Sequence, residues 1–228
     1  MKRISIFILL AVLLAACTPT ETTEKVKVVQ LTDSVSYYPH EVGANWKYLV
    51  NGATVSDKPV ISSVLGPTVV DGDIWIATDL VGQGIQNTWY RQYRANGVYL
   101  LKEERPGQVV NYNPPVQEFP AENSLRVGAT WGGNTTVDIF WPDAKPENQH
   151  KIVSIRYDYT VVDKRTVTVP AGKFEAFVLN FVSTVADNLN LTNPQVKQET
   201  WFVPYVGEIR TENNFYLVDT NVTGVARK

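Results

Sequence analysis

The sequence holds one cysteine, Cys17, two histidines and no long run of Lys or Arg. A single cysteine excludes a disulfide within the chain and any zinc site built from several cysteines. The formal net charge is −2. Proteins that bind nucleic acid need a concentrated basic surface to neutralise phosphates, so we expect no nucleic-acid partner. Hydrophobic residues make up 44% of the chain and charged residues 19%, which predicts a folded globular domain.

A helical period is also absent beyond position 36. Val, Ile, Thr, Tyr and Trp dominate there and are punctuated by Gly, Pro and Asn, which is typical of strands joined by turns. The dipeptides Asn51-Gly52, Asp71-Gly72 and Asn96-Gly97 predict hairpins. The turn count predicts roughly ten strands with short connections, which pair antiparallel. We therefore predict an all-β fold, a curved antiparallel meander that forms a half-barrel, a barrel or a sandwich, with at most minor helix.

The chain begins with a pattern typical of bacterial export signals. Two basic residues precede an apolar run, Ile4–Leu14, which is too short to span a ~30 Å hydrocarbon core comfortably. The tetrapeptide Leu14-Ala15-Ala16-Cys17 resembles the lipobox of bacterial lipoproteins. The resemblance implies cleavage between Ala16 and Cys17 and a lipid on the Cys17 thiol. Several acyl chains, palmitate among them, would bury enough CH₂ groups to hold the protein on a membrane.

The lipobox also divides the chain. We expect a signal peptide at residues 1–16, the lipidated cysteine and a flexible polar tether at residues 17–36, and a single antiparallel β domain at residues 37–228. Cleavage would leave 19 basic and 23 acidic residues, because Lys2 and Arg3 are removed. The resemblance implies a place in the cell envelope outside the cytoplasm. That place is the outer membrane in a cell with two membranes and the cell membrane otherwise.

One pentapeptide occurs twice in similar form. Val42-Gly43-Ala44-Asn45-Trp46 is echoed by Val127-Gly128-Ala129-Thr130-Trp131. One interpretation is two related β units, about residues 37–118 and 119–228. The other is a local device used twice, in which Gly forms a turn and Trp then opens a strand by anchoring in the core.

This pentapeptide and two further motifs together support a family resemblance. They are Val42-Gly43-Ala44-Asn45-Trp46, Val169-Pro170-Ala171-Gly172-Lys173-Phe174 and Trp201-Phe202-Val203-Pro204-Tyr205-Val206-Gly207. The chain resembles a loose group of uncharacterised bacterial envelope proteins that carry VGxxW, VPAGxF and WFxPxVG motifs. The resemblance implies curved antiparallel sheets akin to the half-barrel lipoprotein carriers of the envelope. It implies no catalytic residue, and the Pro and Gly residues of the motifs predict structural corners.

Catalytic and metal-binding patterns are missing from the sequence. His40-Glu41 begins like a zinc-protease helix, but Ala44 stands where the second histidine belongs. Gly82-Gln83-Gly84 lacks the third glycine and the helix of a dinucleotide site. We predict no catalytic residue, no metal site and no cofactor, and we expect that the protein is not an enzyme.

Aromatic residues are plentiful, with 6 Trp, 11 Tyr and 8 Phe. They predict either the core of a large sheet or a concave surface for an apolar or glycan ligand. Phe140 and Trp141 stand beside a Pro-containing loop and are the candidate ligand-binding residues. The predicted function is a membrane-anchored binding or carrier module. The alternatives are a structural or assembly lipoprotein that binds another envelope protein, and a hydrolase with an unrecognised site.

Overall fold

The computed structural model describes residues 36–51, 53–54, 57–185 and 196–222. The predicted signal peptide, its cleavage site at Ala16 and Cys17, and nearly all of the predicted tether lie outside these residues. The described part contains no α-helix, and two single-turn 3₁₀ segments interrupt its loops at Glu122–Ser124 and Pro146–Asn148. Its twelve strands are β1 (Asn45–Val50), β2 (Val60–Val70), β3 (Asp73–Gly82), β4 (Ile85–Arg94), β5 (Gly97–Arg105), β6 (Gln108–Pro120), β7 (Thr130–Phe140), β8 (His150–Val169), β9 (Gly172–Val185), β10 (Val196–Val203), β11 (Gly207–Arg210) and β12 (Phe215–Thr220).

The twelve strands form one closed antiparallel barrel. Each strand pairs with its neighbours in sequence, and β1 pairs with β12 to close the ring. The closing register sets Trp46 opposite Thr220 and Tyr48 opposite Leu217. The prediction of an all-β antiparallel meander is confirmed, and its barrel form is the one that occurs. The barrel spans both halves of the domain in one continuous sheet.

Tight turns place the strands next to one another as the sequence predicts. Asp71 and Gly72 join β2 to β3 with φ values of 51° and 87°. Gln83 and Gly84 join β3 to β4 with φ values of 51° and 81°. Positive φ at both central residues matches the right-handed twist of the flanking strands, which is why Asn, Asp and Gly are favoured there. The Gly82-Gln83-Gly84 segment is thus a hairpin turn.

The repeated pentapeptide forms the same local structure at both places. Gly43 and Gly128 have φ values of 87° and 84°. In each copy the glycine N–H donates to the adjacent strand, to the carbonyl of Val64 or of Val161. The following tryptophan begins a strand, and its indole N–H donates to a distant carbonyl, from Trp46 to Val206 O at 2.6 Å and from Trp131 to Gln117 O at 3.1 Å. These hydrogen bonds attach the start of β1 and the start of β7 to other parts of the barrel.

The outer wall of the barrel carries charged pairs along its strands. Arg156 Nε lies 2.9 Å from Asp158 Oδ2, and Lys164 Nζ lies 3.1 Å from Glu175 Oε2. All four side chains are exposed. Exposed pairs of this kind contribute little to stability, because water screens both charges. They favour contact of this wall with water over contact with hydrocarbon.

Candidate functional site

The interior of the barrel encloses a cavity of about 510 Å³. An eight-stranded barrel is just wide enough for side chains to fill, whereas barrels of 16–18 strands leave an aqueous channel. With twelve strands this interior falls between the two cases. Large side chains fill part of it, and space remains among residues contributed by β1 to β11.

Aromatic rings close one end of the barrel, here called the plugged end. The lead-in segment before β1 crosses this end, where Tyr37 O accepts a hydrogen bond from the backbone N–H of Tyr205 at 2.9 Å. The Tyr38 ring stacks on Phe202, with centroids 5.6 Å apart, and lies 4.8 Å from the Phe119 ring. Phe202 is fully buried. The turns after β6 and β10 bring Phe119 and Phe202 to the same end, so the plug joins distant parts of the chain.

A group of polar side chains lies at the cavity floor beside the plug. Arg91 of β4 makes two hydrogen bonds to Glu118 of β6, with Nε–Oε2 at 2.6 Å and Nη2–Oε1 at 3.1 Å. Glu208 of β11 accepts a hydrogen bond from Tyr38 Oη at 3.0 Å. The Tyr48 hydroxyl donates to the Glu208 backbone carbonyl at 2.9 Å. We call these five residues the floor group.

The Glu208 carboxyl is the member of the floor group whose pKa is moved into the neutral range. Burial raises its pKa to about 7, because the charged form loses water. The nearby Arg91 guanidinium opposes this rise, and the Glu118 carboxylate adds to it. Burial also raises the pKa of the Tyr38 and Tyr48 hydroxyls well above the usual range. Both phenols therefore remain hydrogen-bond donors at neutral pH.

A second polar group lies at the other end, here called the mouth. Arg105, the last residue of β5, pairs with Glu103 at 2.7 Å. The Tyr112 hydroxyl donates to the other Glu103 oxygen at 2.7 Å. Glu212, in the turn between β11 and β12, also lines the cavity and is exposed. It makes no hydrogen bond or ion pair with any other residue that the structure describes.

The Glu212 carboxyl resembles Glu208 in its acidity. Enclosure by the cavity wall raises its pKa to about 7, and the carboxylates of Glu103, Glu208 and Glu118 add to the effect. The Arg91 guanidinium opposes it weakly. Glu212 is nonetheless exposed at the mouth, so water screens part of this effect, which is fuller at the more deeply buried Glu208.

Apolar and aromatic side chains line the wall between the floor group and the mouth. The Tyr159 ring stacks on Trp131 at 5.3 Å and lies 4.8 Å from the Phe181 ring. Trp89 and Leu100 add apolar surface from β4 and β5. The cavity therefore has an apolar middle with a polar group at each end.

The two ligand-binding residues predicted from sequence lie apart from this cavity. Phe140 ends β7, and its ring contacts His150 at a centroid distance of 4.7 Å. The Trp141 backbone N–H donates to Gln149 O at 2.8 Å, in the loop between β7 and β8. Neither residue is among those that line the cavity. Their role as a binding lip stays a prediction, and Cys17 lies outside the described residues.

The sequence contained a signal for the floor group that the motif search missed. Trp89, Arg91 and Tyr93 alternate along β4, and all three line the cavity. Val116 and Glu118 alternate in the same way on β6. Successive side chains of a strand point to opposite faces. A charged residue two positions away from inward-facing apolar residues is therefore predicted to lie inside the barrel as well.

Comparisons with known proteins do not assign this chain to a family or a function. The chain matches no protein-family model, no curated protein and no solved structure. Within the described ranges, no group of three or more His, Cys, Asp or Glu side chains is placed to hold a metal ion. None of the helical segments in those ranges is long and apolar enough to cross a membrane.

Proposed function

We propose that this chain is a cell-envelope lipoprotein whose β-barrel is a non-catalytic carrier for a small ligand with apolar or glycan character. The observation that carries the proposal is the cavity of about 510 Å³ inside the barrel. Ligand sites usually have volumes of about 300–1,000 Å³, with mostly apolar walls and a few convergent polar groups. The apolar middle and the two polar groups fit that description.

The shape of the barrel interior also supports a carrier. The aromatic plug closes one end, and the exposed residues Arg105 and Glu212 line the cavity at the mouth. A ligand can therefore enter through one end and contact a floor. The charged outer wall suits a domain that stands in water on a lipid tether, as the lipobox at Cys17 predicts.

A matched pair of tryptophan substitutions on β8 tests the carrier function. Val153 lines the cavity, whereas its neighbour Ile152 is 67% exposed. Residues 18–228 contain every described strand of the barrel and lack the predicted lipid-attachment cysteine, so they are the sample for this test. We expect native mass spectrometry of this chain from its own host to show a bound small molecule. Val153→Trp should remove that molecule, because the indole fills the cavity, and Ile152→Trp should retain it. Equal retention by the two variants would refute binding inside the barrel.

The lipid anchor needs a separate test. Growth of the host with labelled palmitate should label the intact protein, and Cys17→Ser should abolish the label and release the protein from membranes. A label that persists in the variant would show that another residue carries the lipid.

A second candidate function rests on a different surface. The outer face of β2 and β3 carries exposed apolar side chains, here called the apolar ridge: Ile61 and Val81, which pair across the two strands, and Leu65 at the bulge of β2. Exposed apolar patches often mark contacts with other proteins. The ridge favours the assembly function, in which the barrel binds another envelope protein. Ridge variants with Leu65→Ser and Val81→Thr would reduce crosslinking to a partner in intact cells and leave cavity binding unchanged.

A further inference from the structure

The charges that line the cavity do not balance. Four carboxyl side chains face two guanidinium groups, and each guanidinium already has a carboxylate partner. Arg91 pairs with Glu118, and Arg105 pairs with Glu103. Glu208 and Glu212 have no cationic partner within ion-pair distance among the described residues. The enclosed space is thus acidic at both the floor and the mouth.

Glu208 also stands beside aromatic rings. The Tyr38 hydroxyl donates to its carboxyl, the Tyr48 hydroxyl donates to its backbone carbonyl, and both residues line the cavity. The Trp46 indole packs on Gly207, where an added Cβ would lie 3.1 Å from Trp46 Nε1. Gly207 has a φ of 103°, which favours glycine and lets the ring approach the backbone next to Glu208. A cation drawn to the Glu208 carboxylate would also meet these rings, and aromatic rings attract ammonium groups, quaternary ammonium groups in particular.

We propose that the ligand of this cavity is an organic cation, an apolar body that carries an amine or quaternary ammonium nitrogen, which Glu208, Glu212 and the aromatic rings beside Glu208 bind. This inference rests on the proposed carrier function and specifies its ligand class. The two carboxyls lie at different depths, since Glu208 follows the start of β11 at the plugged end and Glu212 follows its end at the mouth. A monocation pairs with one of them, and an elongated dication pairs with both.

An anionic ligand fits the cavity poorly. A fatty-acid carboxylate would find both arginines already paired and would meet two further carboxyls. Displacing Glu118 from Arg91 would leave a buried carboxylate without a partner, which is strongly unfavourable. A neutral apolar ligand would fill the apolar middle but would leave Glu208 and Glu212 unpaired.

Protons compete with the cation for the two carboxyls. Other titratable and charged groups face the Glu208 and Glu212 carboxyls from the lead-in segment and from β1, β4, β5, β6 and β8. They are Tyr38, Tyr48, Arg91, Tyr93, Glu103, Arg105, Tyr112, Glu118 and Tyr159. The pKa of each free carboxyl is about 7. A cation stabilises the ionised form, so binding releases protons. The affinity for a permanent cation should therefore rise roughly tenfold between pH 6 and pH 8 through Glu208, and by a smaller factor through Glu212, because Glu212 is exposed and water screens its charge.

Three probes with the same alkyl chain test the inference on residues 18–228. They are decyltrimethylammonium, decanol and decanoate, which are a permanent cation, a neutral molecule and an anion across this pH range. Titration calorimetry at pH 8 should give at least tenfold tighter binding for the cation than for decanol, with decanoate the weakest. At pH 6 the affinity for the cation should fall toward the affinity for decanol.

Near-isosteric substitutions assign the effect to the two carboxyls. Glu208→Gln and Glu212→Gln should each lower cation affinity at pH 8 and reduce its pH dependence, while decanol binding stays the same. The matched control is Glu175→Gln on the outer wall, which should change neither affinity. The wild-type pH profile tests the inference even if a variant fails to fold.

Each outcome separates the cation inference from the carrier function. Equal affinity for the cation and decanol, or tighter binding of decanoate, overturns the cation inference and leaves the carrier function intact. Binding of none of the three probes, with no difference between wild type and Val153→Trp, overturns the carrier function and the inference that rests on it.

Discussion

Removal of the Arg91 guanidinium should destabilise the barrel far more than removal of the whole Arg91–Glu118 pair. Both side chains are largely buried, with 10% and 15% of their surfaces exposed, and two hydrogen bonds join them. At an effective dielectric constant of about 20, opposite charges about 4 Å apart attract by roughly 4 kcal/mol. The loss of water around both charges offsets much of this attraction in the intact protein.

When one partner of the pair is removed, the attraction is lost, but the remaining charge is still buried away from water. Arg91→Met leaves Glu118 and Glu208 as buried carboxyls without a guanidinium, so we expect the free energy of unfolding to fall by about 3–5 kcal/mol. Glu118→Leu should cost less, because the Arg91 charge can still interact with Glu208. The double variant replaces the pair by apolar side chains of similar size and should lie near wild type, or differ by at most a few kcal/mol in either direction.

Urea unfolding, followed by tryptophan fluorescence at pH 6 and pH 8, measures this double-mutant cycle. We expect a coupling energy of at least about 2 kcal/mol. In Arg91→Met the pKa of Glu208 should rise further, because the guanidinium that lowers it is gone. The loss of stability should therefore be greater at pH 8 than at pH 6. Additive single effects, with a coupling energy below about 0.5 kcal/mol, would refute the argument.

Four other substitutions test separate parts of the fold. The pKa of Glu208 is raised from 4.5 to about 7, so the folded state binds more protons than the unfolded chain, and wild-type stability should fall as pH rises through this range. Glu208→Gln should remove the Glu208 contribution to that fall, which is on the order of 2 kcal/mol after allowance for the partial accessibility of the side chain. Urea unfolding from pH 5 to pH 8 would measure it, and the smaller contribution of Glu212 should remain. Phe202→Ala empties a fully buried position of the aromatic plug and should cost about 3–5 kcal/mol in the same assay. Gly97→Ala places a Cβ 2.3 Å from Phe119 O. At Gly84 nothing lies within 4 Å of an added Cβ, so only the positive φ opposes alanine and Gly84→Ala should cost about 1 kcal/mol. Gly97→Ala should reduce stability by more than Gly84→Ala.

The local structure of the barrel follows closely from sequence. Asp71-Gly72 forms the predicted turn between β2 and β3, and the short connections give antiparallel neighbours throughout. The repeated Gly and Trp residues form matching strand starts at Trp46 and Trp131. These features depend on residues that are close in the chain, or on the period of two along a strand, and a sequence displays both directly.

Closure of the barrel depends on contacts that no local pattern displays. Trp46 pairs with Thr220 across nearly the whole domain, and whether the first and last strands meet depends on the accumulated twist and on several bulges. One bulge lies between Val64 and Gly66, and another between Val161 and Asp163. Each bulge adds an unpaired residue and bends the sheet. A half-barrel, a barrel and a sandwich are therefore equally compatible with the same strand pattern.

The acidic interior was hidden from sequence for a related reason. Glu118, Glu208 and Glu212 are spread over the chain and belong to no motif, and only closure of the ring places them in one enclosed space. The alternation along β4 and β6 marks Arg91 and Glu118 as inward-facing, but it does not predict that they pair with each other. Glu212 lies in a turn, where no alternation applies, and a turn glutamate usually indicates nothing more than a solvated surface. At the cavity mouth it makes no hydrogen bond or close ion pair with any described residue and feels only the longer-range attraction of Arg105 and Arg91, so its carboxyl can bind a ligand.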